Sequence, residues 1–297
     1  MRTGPWARSA TAFVGVALLM SPPVAAAAQD TDGGSTVHSG ESQAQGRAVI
    51  ADGHVDLGPR FVDGEWALQV RDDTVSPAVW RDLPDVVLQA ADTATVEVPD
   101  DERFAFLGAP GDQVWMLPQV QQDGVLWPGW NTQDPEVASS VDREVTWTLH
   151  GAEGPGDFTL FLNTDFGDPR IVFDGGGELP QETGVDLGTH AHGNWAFTAP
   201  GTYLLDIGMS AATLDGEQVE DRGFLAVHAG EENPEAAFDL LAQRSPAQTP
   251  DAAAEGGTGD LPGWVWAAGG AGAVVLLVSA VLLGLLLGRR ARNGRES

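Results

Sequence analysis

The tightest constraint on this chain's fold is the shortness of its alternating runs. Residues 65–71 place Trp66, Leu68 and Val70 on one side of an extended backbone, and the pattern returns at 144–150, 157–163, 202–210 and 223–228. A period of two marks a strand that buries one face. Clusters of glycine, proline and aspartate separate the runs, and with 38 glycines and 19 prolines the chain shows no long amphipathic helix. Such punctuation predicts an all-β, antiparallel sandwich over residues 47–230.

Two details give that sandwich an immunoglobulin-like character. Asp215 and Gly216 read as the loop of a hairpin between the last two runs. Tyr203 follows the Pro200–Gly201 turn and shares a face with Leu205, Ile207 and Met209, a late strand anchored by a tyrosine. Residues 100–141 fit the pattern poorly. Trp115, Trp127 and Trp130 lie there among Pro110, Pro118, Pro128 and Pro135, which predicts a long ordered loop packed over one end.

The two ends are topological signals. Arg2 and Arg8 precede an apolar run at 10–20, and Ala26 and Ala28 occupy the small-residue positions of a cleavage site, so 1–28 reads as a secretory signal peptide. Residues 263–288 contain a charge-free stretch long enough to span a bilayer, with Trp264 and Trp266 at one border and Arg289, Arg290, Arg292 and Arg295 beyond the other. The expected arrangement is a single-pass membrane protein with an extracellular N-terminal domain. It has a disordered leader at 29–46, a flexible stalk at 231–262 and a basic cytoplasmic tail at 289–297. All but one of the 43 carboxylates fall in 29–263, against nine of the 15 arginines, and no lysine is present. That surface disfavours nucleic acid and gathers cations, and it also serves plain solubility.

Cysteine is absent, so any metal must be held by nitrogen and oxygen. His190 and His192 are two residues apart, as are His54 and Asp56, so each pair presents both groups to one side of a strand. These four residues are the candidate metal ligands, suited to Zn²⁺ or Mn²⁺, with Cu²⁺ a further fit. The competing reading has them capping strand ends. Trp115, Trp127 and Trp130 are a candidate stacking platform for a cell-wall glycan, or else core packing under the loop. The acidic loop 163–168, with Asp174 nearby, is a weaker Ca²⁺ candidate beside a solvated turn. No nucleophile elbow, zinc-protease helix motif, phosphate loop or cysteine nucleophile occurs, so no enzyme is expected.

Several stretches together resemble the choice-of-anchor M domain family of actinobacterial surface-anchored proteins. They are residues 52–58, Asp72 to Thr74, 104–112, 114–119, 127–130 and 189–203, in order across most of the domain. The resemblance implies a surface module attached to the actinobacterial envelope, association with a metal-type ABC transporter and no established catalytic activity. The expected function is an extracytoplasmic binding protein aiding divalent metal acquisition. The alternative is a structural, adhesive or glycan-binding module.

Overall fold

In the computed structural model, which describes residues 36–164 and 167–244, the alternating runs become strands of three sheets. The first sheet is ordered β1 (Ser42–Gln43), β5 (Val79–Asp82), β4 (Glu65–Asp72), β3 (Gly53–Val62), β9 (Leu126–Asn131) and β14 (His190–His192). The second is β13 (Gln181–Asp186), β10 (Glu144–Glu153), β16 (Gly201–Ala212), β17 (Gln218–Ala229), β6 (Val86–Ala90) and β2 (Ala48–Ile50). The third is β12 (Pro169–Asp174), β11 (Phe158–Asn163), β15 (Asn194–Phe197), β8 (Gln113–Leu117) and β7 (Thr95–Glu97).

Their inward faces share one core. Trp130 from the first sheet, Trp147 from the second and Trp195 from the third meet there, with ring centroids 5.3 Å and 6.0 Å apart. Phe173 meets Trp147 edge-on at 4.9 Å. Each such pair adds about 0.5–1.5 kcal/mol beyond the area it buries, so the aromatic junction ties the three sheets together. Tyr203, Leu205, Ile207 and Met209 all face inward and are almost fully buried. The Tyr203 hydroxyl donates to the Ala199 carbonyl at 2.8 Å and accepts from Ala199 N at 3.1 Å, which pins the turn into β16. β16 and β17 form the hairpin around Asp215 and Gly216, paired from Gly201–Ala229 to Ala212–Gln218.

The expectation of a purely antiparallel sandwich needs correction. β1 runs parallel to β5, β2 and β17 run parallel to β6, and β3 runs parallel to β9. Alternation has the same period in either direction, so direction leaves no mark on it. The chain instead passes through β4 to β8 before β9 returns beside β3. The central loop is likewise an element of the sheets: residues 100–141 contain a 3₁₀ turn (Glu102–Leu107), β8, β9 and a short helix, α1 (Pro135–Ser140). Pro128 lies inside β9, opposite Val55 of β3 and one place outside the Gly129–Asn131 pairing with β14.

The ordered domain is also wider than 47–230. Within the expected leader, residues 36–46 supply β1 and a buried Val37. Within the expected stalk, α2 (Ala237–Arg244) lays Phe238 and Leu241 against Val87, Leu204 and Ala226. The expected signal peptide (1–28), the rest of the expected stalk, the expected transmembrane segment (263–288) and the expected basic tail (289–297) lie outside the described residues. Among the described residues no helix is long and apolar enough to cross a membrane.

Candidate metal centre

Strand register assembles the centre. β9 lies between β3 and β14, with His54 opposite Trp127, and with Asp56 and His192 opposite Gly129 from its two sides. His190 pairs with Asn131. Alternation then divides the three strands cleanly. Val55, Leu57, Pro128, Trp130 and Ala191 turn one way, while His54, Asp56, Trp127, Gly129, Asn131, His190 and His192 turn the other. Strands two apart in a sheet are separated by about 9.5 Å, so ligands on β3 and β14 meet only by leaning across β9. Gly129 makes that possible. A Cβ there would overlap Asp56 Oδ1 and lie 2.6 Å from His192 Cε1. Beside the glycine, the Trp127 indole stacks on the His192 ring at 3.7 Å and 10°, which fixes that imidazole and shields one side of the centre.

One ligand atom from each of His54, Asp56, His190 and His192 lies within 4.8 Å of all the others. His190 Nε2 is 3.3 Å from His54 Nε2, 3.2 Å from His192 Nε2 and 3.1 Å from Asp56 Oδ2. His54 Nε2 is 3.4 Å from Asp56 Oδ1. A ring nitrogen carries either one proton or one lone pair, so His190 Nε2 can satisfy a single neighbour at a time. Asp56 is 2% exposed, its Oδ2 accepts from Asn131 Nδ2 at 3.0 Å, and its Oδ1 is buried without a hydrogen bond. A cation at the common focus relieves all of these conflicts together. Tetrahedral Zn²⁺ with Zn–N of about 2.0–2.1 Å sets its ligand atoms about 3.3–3.4 Å apart. An octahedral ion at about 2.1 Å sets neighbouring ligands about 3.0 Å apart. The short spacings here, 3.1–3.4 Å, span both values.

Neighbouring imidazoles are tuned in opposite directions. Burial alone would lower His54, but its pairing with the Asp56 and Asp73 carboxylates outweighs that and raises it to about 9. Burial dominates at His192, where the Asp56 charge offsets it only in part, and holds it at about 4. Burial would raise Asp56, yet hydrogen bonds to His190 and His54 hold it far below the usual carboxylate range. His192 is therefore already in the form that binds a metal at neutral pH, whereas His54 must lose a proton.

Spacing in the sequence did not disclose the residues that support the ligands. Asp73 Oδ2 lies 3.0 Å from His54 Nδ1, the carboxylate–imidazole arrangement that directs Nε2 toward a metal. Arg71, on β4 opposite Asp56, is almost completely buried. Alternation at 65–71 puts Arg71 on the side opposite Trp66, Leu68 and Val70, where a charge is ordinary, so nothing in the residue order signals its burial.

The remaining candidates are not assembled in this way. Trp127 and Trp130 are buried on opposite faces of β9, and Trp115 is half-buried on β8 with Nε1 donating to Asp92 at 3.2 Å. An exposed row of three indoles is therefore corrected to one core residue, one wall of the metal centre and one residue on another sheet. In the acidic loop, Asp165 lies outside the described residues. Asp174 Oδ1 accepts from Gly176 N, and Asp168 lies 3.6 Å from Arg103, so both carboxylates already have local partners. Comparison with protein families, with curated proteins and with solved structures gives no match.

Proposed function

We propose that this chain is a membrane-tethered extracytoplasmic protein that binds a divalent transition metal, Zn²⁺ in preference to Mn²⁺, in the service of metal acquisition. The ligands are Nε2 of His54, His190 and His192 and Oδ1 of Asp56. The observation that carries the reading is the convergence of three imidazole nitrogens on the buried Asp56 carboxylate, whose Oδ1 has no hydrogen bond and only a 3.4 Å contact with His54 Nε2. Three imidazole nitrogens and one carboxylate oxygen favour Zn²⁺ over ions that seek six oxygens. The address is supported by the signal-like 1–28, the apolar 263–288 and the absence of cysteine. The resemblance to the choice-of-anchor M domain supports a place beside a metal-type ABC transporter at the envelope.

Calorimetric titration of the purified protein with Zn²⁺ and with Mn²⁺ tests this. Saturable Zn²⁺ binding, weaker Mn²⁺ binding and loss of both in the His190→Ala/His192→Ala variant are expected. Equal heats from the wild type and the variant defeat the proposal.

A further inference from the structure

Behind His54, buried charges form a line that reaches the first described residues. Asp73 Oδ2 receives His54 Nδ1 at 3.0 Å and Arg71 Nη1 at 2.7 Å. Arg71, 1% exposed, gives Nε and Nη2 to the two oxygens of the Glu41 carboxylate, each at 2.7 Å. Trp80 Nε1 donates to the same carboxylate at 2.9 Å. The segment carrying Glu41 is held at several other points. Arg60 Nη2 donates to the Glu41 carbonyl at 3.3 Å, Ala44 N donates to the Trp80 carbonyl at 2.7 Å, and Ser42 and Gln43 pair with β5. Residues 36–44 thus supply a counter-ion to a buried guanidinium that a single carboxylate separates from a candidate metal ligand.

We infer that Glu41, Arg71 and Asp73 are positioning residues for His54, so that docking of residues 36–44 and filling of the metal centre strengthen one another. This rests on the metal reading proposed above. The sign follows from the shared oxygen. With Glu41 docked, Arg71 has the Glu41 carboxylate to donate to as well as Asp73, and Asp73 keeps strength for His54 Nδ1. With Glu41 withdrawn, the buried guanidinium needs Asp73 more and draws its Oδ2 away from the imidazole. His54 is then a poorer and less well oriented ligand. Coupling between two binding events is reciprocal, so whatever the docked segment adds to metal affinity, the metal returns to the docking of the segment.

Arg47, exposed just beyond this segment, provides the readout. The full chain is digested with trypsin with and without Zn²⁺, and the rate of cleavage after Arg47 is followed. Zn²⁺ is expected to slow that cleavage about fivefold or more, with no protection in His190→Ala/His192→Ala. In parallel, Glu41→Gln is expected to weaken Zn²⁺ binding about fivefold or more, and Asp73→Asn about 10- to 100-fold. Zn²⁺ binding to the wild type with unchanged cleavage after Arg47 overturns the coupling, as does a Glu41→Gln variant of undiminished affinity. If Glu41→Gln does not fold, the wild-type protection assay decides alone. Absence of any Zn²⁺ binding removes the metal reading and this inference with it.

Discussion

β3, β9 and β14 present two faces built from the same backbone ladder, and the faces obey different rules. On one, Val55, Leu57 and Trp130 join the hydrophobic core, where shape decides the packing. On the other, His54, Asp56, His190 and His192 crowd over Gly129, closer together than their mutual hydrogen bonding can satisfy. The first face is complete as it stands. The second leaves a buried carboxylate oxygen without a hydrogen bond and ring nitrogens competing for the same neighbours, which a fold tolerates where a ligand completes it. Neighbouring side chains of one strand can therefore serve stability and binding separately.

Substitutions on the two faces should separate these roles. The largest effect belongs to the core face: Trp130→Ala should cost about 3–5 kcal/mol of unfolding free energy, by urea denaturation, with or without Zn²⁺. On the opposite face of the same strand, Gly129→Ala should chiefly damage binding. Its Cβ enters the space of Asp56 and His192, so Zn²⁺ affinity should drop about 100-fold by calorimetry, while overpacking removes about 1–3 kcal/mol of metal-free stability. If Gly129→Ala destabilises the fold and leaves affinity intact, the division between faces is wrong.

Proton linkage gives a finer distinction. His54 holds its proton up to about pH 9 in the metal-free centre and must release it on binding. Zn²⁺ affinity should therefore fall about tenfold for each pH unit below about 9. His192, near 4, adds a second proton only in strong acid. Titrations in buffers of different ionisation enthalpy report the proton released.

The smallest effect concerns a buried histidine outside the centre. His228, on β17, meets Thr202 Oγ1 at 2.9 Å, and burial lowers it below its ordinary 6.5 despite the opposing Glu232 backbone and the nearby Glu231 and Glu232 charges. A lowered histidine contributes stability that is present above pH 6.5 and lost as pH falls through its folded value. Melting temperature should drop modestly from pH 7 to 5 in His190→Ala/His192→Ala protein, and less when His228→Gln is added.

Much of this architecture can be read from residue order. The alternation at 65–71, 144–150 and 202–210 gives β4, β10 and β16 nearly to their ends, and the two-residue spacings in His54/Asp56 and His190/His192 mark the groups that lie together. β9 was hidden because Trp127, Pro128, Gly129 and Trp130 carry the chemistry of a loop. Pro128 stands within the β3–β9 ladder all the same, and Gly129 is required by its neighbours across the sheet rather than by a turn. Glu41 was hidden for another reason. Residues 36–46 have too little apolar content to suggest burial, and ion pairing to Arg71, 30 residues along the chain, holds them instead.

The β16–β17 hairpin has a mechanical consequence. Tension entering from the C-terminal side passes through α2 into β17, which is paired along all twelve of its residues with β16 and, near its end, with β6. Pulled along its own axis, β17 loads those hydrogen bonds in shear, so they resist together rather than opening one by one. The two-residue β1, at the sheet edge beside β5, would unzip under far less force. A chain tethered beyond residue 244 would bear drag on its strongest strand and leave its N-terminal segment unloaded.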